Sequence, residues 1–75
     1  MSIYDEIGIS ITSLRKTKRL TQEKLALECD ISPSYLRLIE HGSANPTIHE
    51  LLKIAEGLEI NLLNPFARHA TTDIL

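Results

Sequence analysis

The sequence predicts an all-α fold, a compact five-helix bundle with a helix-turn-helix at its centre. Apolar residues recur at three- and four-residue spacing, with no strand signal. Helix-start signals recur along the chain: Thr21, Ser32 followed by Pro33, and Thr47 with Glu50 three residues later. Between the second and third segments lie only Asp30, Ile31 and Ser32, and a connection that short forces a sharp bend.

Length limits what the bundle can be. Seventy-five residues have room for one domain, read as 1–75, with the helix-turn-helix at about 21–42 and a short tail over 68–75. A chain this short buries roughly 60% of its unfolded surface, so the core is small. The single Cys cannot form an intrachain disulfide. Stability must come from well-packed helices, from oligomerisation, or from both. No apolar run of about 20 residues is present to span a membrane. The opening MSIYDEIG lacks the basic stretch and apolar core of a signal peptide. With a free thiol, these features place the expected location in the reducing cytoplasm.

Each helix has its own justification. Ile3, Ile7, Ile11 and Leu14 form a stripe that ends near Thr17. The second helix begins after Thr21 and turns Leu25, Ala26 and Cys29 inward. Ser32 caps the third, and Pro33 takes its first position, where a missing N–H costs nothing. That helix carries Leu36 and Ile39 and stops at Gly42, a residue able to take a left-handed conformation. After the Asn45-Pro46 turn, Thr47 and Glu50 open the fourth helix, whose inner residues are Leu51, Ile54, Ala55 and Leu58. A last turn of helix follows Asn61 with Leu62, Leu63 and Phe66, kept short by Pro65.

A tight crossing of the second and third helices makes definite demands. Both inner sides must be apolar, as Leu25, Cys29, Ile31, Leu36 and Ile39 are, and one position must be small, as Ala26 is. One turn residue must tolerate positive φ, and Asp30 occupies that place.

Charge separates along the chain. The formal net charge is −2, which taken alone argues against a polyanion partner. Yet Arg15, Lys16, Lys18, Arg19 and Lys24 place five of eight basic residues within ten positions. Such an asymmetry steers a polyanion to one face, although a helix dipole also favours lysines at a helix C-terminus. Residues for chemistry are lacking. His41 and His49 straddle a Pro turn, Cys29 has no partner at ligand spacing, and no nucleophile has a nearby base. Neither an enzyme, a metal site, a cofactor nor a small-molecule ligand is expected.

The run TQEKLALECDISPSYLRLIEHG resembles the helix-turn-helix of the phage repressor and Cro class, the XRE family. The Thr21-Gln22 pair, Leu25-Ala26, Ser32, and Ile39-Glu40 ahead of Gly42 carry the likeness. NPTIHELLKIAEGLEI resembles the family's fourth helix, and LRKTKRL the exit of its first, so the likeness covers about residues 5–66. The short chain and SYLRLIE resemble, more loosely, the controller proteins of restriction–modification systems. Arg19 and Asp30 depart from the pattern where Gly is common, and Pro33 replaces a residue that is often polar and reads bases.

The resemblance implies roles. The third helix enters the major groove of double-stranded DNA, with Pro33, Ser34, Arg37 and Leu38 outward. Arg37 is the leading base reader, its fork matching guanine O6 and N7, with a phosphate contact as the alternative. Ser34 reaches a base or a phosphate; Leu38 covers a thymine methyl or packs at the core rim. Thr21 and Gln22, at the start of the second helix, are phosphate contacts. Tyr35, His41, Ser43 and Asn45 are candidates to grip neighbouring phosphates, Tyr35 alternatively being a half-buried ring with its OH in solvent. Arg15 and Glu40 match a structural salt bridge. One helix reads few base pairs, so a homodimer on a two-fold operator is expected, joined through Ile60, Leu62, Leu63 and Phe66 unless Leu62 and Phe66 close the monomer's own core. The implied function is sequence-specific transcriptional regulation. The competing reading is an antitoxin-like module that binds a partner protein.

Overall fold

A computed structural model of the protein describes residues 2–59. These form four helices: α1 (Ile3–Thr17), α2 (Gln22–Cys29), α3 (Pro33–Glu40) and α4 (Ile48–Gly57). No strand occurs among the described residues. The architecture is the expected all-helical one, with four helices where five were expected. The fifth segment after Asn61 and the tail over 68–75 lie outside the described residues.

Every helix starts on a side-chain cap. Ser2 and Asp5 form a capping box on α1, and Thr47 and Glu50 form one on α4. Thr21 accepts from the Lys24 N–H at 3.0 Å, and Ser32 accepts from the Tyr35 N–H at 3.0 Å with Pro33 following. Each cap satisfies an N–H that the helix itself leaves open.

The helices pack in three main pairs, α2 on α4, α1 on α3 and α2 on α3. Leu25, Ala26 and Cys29 from α2, Leu36 and Ile39 from α3, Ile54 from α4, and Leu58 just beyond it are buried together with Ile11. The inward sides expected of α2 and α3 are therefore the observed ones. On α1 the stripe is only partly inward: Ile11 is buried, Ile7 and Leu14 pack against the core edge, and Ile3 is exposed. These α1 residues and Leu51, Ile54 and Leu58 line an open apolar groove of about 410 Å³ between α1 and α4.

Close approaches and turns set the crossing angles. Gly8 lies against the end of α3, where a Cβ would meet the carbonyl oxygens of Ile39 and Glu40. The bend between α2 and α3 turns on Asp30, in the left-handed region at φ 57°. Arg19, between α1 and α2, has φ 59°. Both positions where glycine is common in the family thus adopt the backbone that glycine favours, at some strain cost. Gly42 has φ 75° directly after the α3 cap residue His41.

Candidate nucleic-acid interface

The α2–α3 unit holds α3 with one side in the core and the other open. Leu36, Ile39 and Glu40 are buried, whereas Ser34, Arg37 and Leu38 are exposed. Their spacing of three and four residues places them on a single helix face. Leu38 is 48% exposed, so it is an outward leucine and not core. Pro33 is half-buried at the start of that face. The short α3 therefore presents a hydroxyl, a guanidinium and an apolar side chain together, a set able to bond base edges and touch a methyl group.

A buried polar cluster fastens this face to the rest of the fold. Arg15 donates from Nε to Glu40 Oε2 at 2.7 Å and from Nη2 to Glu40 Oε1 at 3.1 Å. Its Nη1 donates to the Leu20 carbonyl at 2.8 Å, tying in the α1–α2 connection. Gln22 Nε2 donates to Glu40 Oε1 at 2.9 Å, so the first residue of α2 lies beside the last of α3. Burial works against ionisation of Glu40, but hydrogen bonds from Arg15 and Gln22, the Arg15 charge and a Thr12 hydrogen bond outweigh it and hold the carboxyl below its ordinary pKa.

The helix-turn-helix family profile matches residues 5–63. The chain belongs to the XRE-type helix-turn-helix family. It is 38% identical over 61 residues to control protein C.MunI from Mycoplasma sp, covering 80% of this chain and 82% of that one. With control protein C.BamHI from Bacillus amyloliquefaciens it shares 35% identity over 54 residues, covering 71% and 67%. The controller protein C.AhdI from Aeromonas hydrophila superposes with a TM-score of 0.79 at 31% identity, over 81% of this chain and 92% of that one. A tetramer of the controller protein C.Esp1396I, in complex with its natural 35 base-pair operator, matches with a TM-score of 0.80 at 31% identity, over 91% and 90%.

Within this XRE-type framework the phosphate candidates fall into two groups. Thr21, His41, Ser43 and Asn45 are exposed. The Thr21 oxygen accepts its helix's N–H and leaves its own proton to donate outward. Gln22 and Tyr35 are half-buried and already bonded. The Gln22 amide is shared with Glu40, which leaves its second N–H for another acceptor. Tyr35 differs more from expectation. Its hydroxyl is not left to solvent alone but donates to Glu50 Oε1 at 2.8 Å. That bond raises the phenol pKa, and Glu50 is held below its ordinary value by the Thr47 N–H and then by Tyr35.

The basic patch also changes. Arg15 is 9% exposed and neutralised by Glu40, so it does not contribute to a surface field. Lys16, Lys18, Arg19 and Lys24 are the exposed cations of that stretch. Among the described residues, no three His, Cys, Asp or Glu side chains gather as a metal site. Cys29 packs as a small apolar residue, and burial, helped by nearby Glu28, pushes its thiol up to about 11 despite Lys53. The dimer candidates Ile60, Leu62, Leu63 and Phe66 lie outside the described residues. The bonds from Gln22 to Glu40 and from Tyr35 to Glu50 join residues 18 and 15 positions apart. No sequence spacing signals them.

Proposed function

We propose that the protein is a sequence-specific transcriptional regulator that binds a two-fold operator as a homodimer and controls restriction–modification genes. The exposed Ser34–Arg37–Leu38 face of α3, clamped to α1 and α2 through Glu40, carries this reading. Arg37 reads a guanine, Leu38 covers a thymine methyl, and Ser34 bonds a base or the neighbouring phosphate. Thr21 and the free N–H of Gln22 bond phosphates at the start of α2, where the helix dipole favours an anion. His41, Ser43 and Asn45 extend that grip along the backbone.

A net charge of −2 leaves little bulk attraction for DNA. Affinity then depends on aligned contacts repeated in two half-sites. Ile60, Leu62, Leu63 and Phe66 supply apolar surface for the contact between copies. Relatives named as control proteins and a solved neighbour bound to its operator support this reading. Such a regulator works in the cytoplasm, where its operator is.

Footprinting of the DNA upstream of the protein's own start codon tests the proposal. Protection of two symmetry-related patches about one helical turn apart is expected. Protection of a single patch would contradict the dimeric mode.

A further inference from the structure

Tyr35 lies in the first turn of α3, beside exposed Ser34 and one turn before exposed Leu38. A phenol carries one proton, and here that proton is donated to Glu50 Oε1 at 2.8 Å. The same Glu50 oxygen accepts the Thr47 N–H at 2.8 Å, while the Glu50 N–H bonds Thr47 Oγ1 at 3.1 Å. Glu50 is thus fixed by the capping box of its own helix. Since α3 and α4 are not among the main packing pairs, this bond is a notable tie between their first turns.

The bond decides what the phenol can recognise. With its proton directed at Glu50, the Tyr35 oxygen has only lone pairs left to offer, and a charge-assisted bond to a carboxylate makes that oxygen a better acceptor. A phosphate oxygen is also an acceptor, and it carries the same sign of charge as Glu50. In the major groove the matching donors are the exocyclic amino groups, adenine N6 and cytosine N4. We propose that Glu50 is a specificity-determining positioning residue: by holding the one proton of Tyr35, it makes the phenol an acceptor for a base amino group and turns it away from phosphate.

This inference rests on the proposed DNA-binding function. Its test compares the wild type with Glu50→Ala, Tyr35→Phe and the double variant, titrated against operator fragments substituted one base pair at a time and against DNA of unrelated sequence. Ala removes the oxygen that accepts both the phenol proton and the Thr47 N–H, which frees the tyrosine proton, while the Thr47 hydroxyl still caps α4 through the backbone N–H at position 50. In Glu50→Ala, discrimination at one amino-bearing base pair per half-site should fall about fivefold, the scale of one hydrogen bond. Binding to unrelated DNA should rise, because the freed hydroxyl can donate to phosphate. Tyr35→Phe should lose the same discrimination, and the double variant should match Tyr35→Phe. Thermal melts of each variant confirm that it is folded.

An unchanged sequence profile in folded Glu50→Ala overturns the proposal, as does an effect of equal size in the Tyr35→Phe background. Absence of saturable binding by the wild type would instead overturn the functional reading itself.

Discussion

Arg15 and Glu40, twenty-five positions apart, close a two-pronged ion pair inside the helix-turn-helix, with nitrogen–oxygen distances of 2.7 and 3.1 Å. Both residues are under one-tenth exposed. Removing one partner leaves a buried charge alone, which typically costs about 3–5 kcal/mol. Arg15→Ala should therefore lower unfolding stability by about that amount in urea denaturation, and Leu20 would also lose its bond from Nη1. An unchanged midpoint would show that the pair contributes nothing.

Acid should weaken the same link. Glu40 has a folded-state pKa below its ordinary value: burial raises it, but the bonds from Arg15 and Gln22 lower it further than burial raises it. A depressed carboxyl stabilises the fold above its unfolded pKa of about 4.3. That contribution is lost as pH falls through the lower folded value. Denaturation midpoints of the wild type should thus fall steeply below about pH 4, and those of Glu40→Gln less so. Parallel curves for the two would contradict this assignment.

The α1–α3 contact depends on a missing side chain. A Cβ at Gly8 would lie about 2.6 Å from the Ile39 carbonyl oxygen, a backbone atom with little room to yield. Gly8→Ala should destabilise by about 1–3 kcal/mol, the range for overpacking, even though Ala favours helix more than Gly. A thermal melt reads the sign directly. A gain in Tm would mean that α1 can shift off α3 without loss.

Much of this arrangement was legible in the sequence because it is locally encoded. Thr21, Ser32-Pro33 and Thr47 with Glu50 each mark a helix start within three or four residues, and all begin helices where expected. Core positions such as Leu25, Leu36 and Ile54 follow from helical period alone. The Arg15–Glu40 pair was readable only through family resemblance, since no spacing rule joins α1 to α3. Tyr35 shows the limit most clearly. Its position at the edge of α3 was legible, but its partner Glu50 had already been assigned a local role as a helix cap. Only the placement of α4 against the unit shows one carboxylate serving both. Charge counting alone placed Arg15 in the basic patch, whereas the resemblance paired it inward with Glu40, where it is found.

In the proposed binding mode α3 reads DNA sequence while the start of α2 holds the backbone. The most direct measurement is a titration of the protein, Arg37→Ala and Gln22→Ala against upstream DNA and a scrambled fragment, at two salt concentrations. The wild type should bind the upstream fragment saturably, with affinity falling steeply as salt rises. Arg37→Ala should lose preference for the upstream sequence by about 1–3 kcal/mol, whereas Gln22→Ala should weaken both fragments alike. No saturable binding to any upstream fragment, or a preference that survives Arg37→Ala intact, would contradict the account.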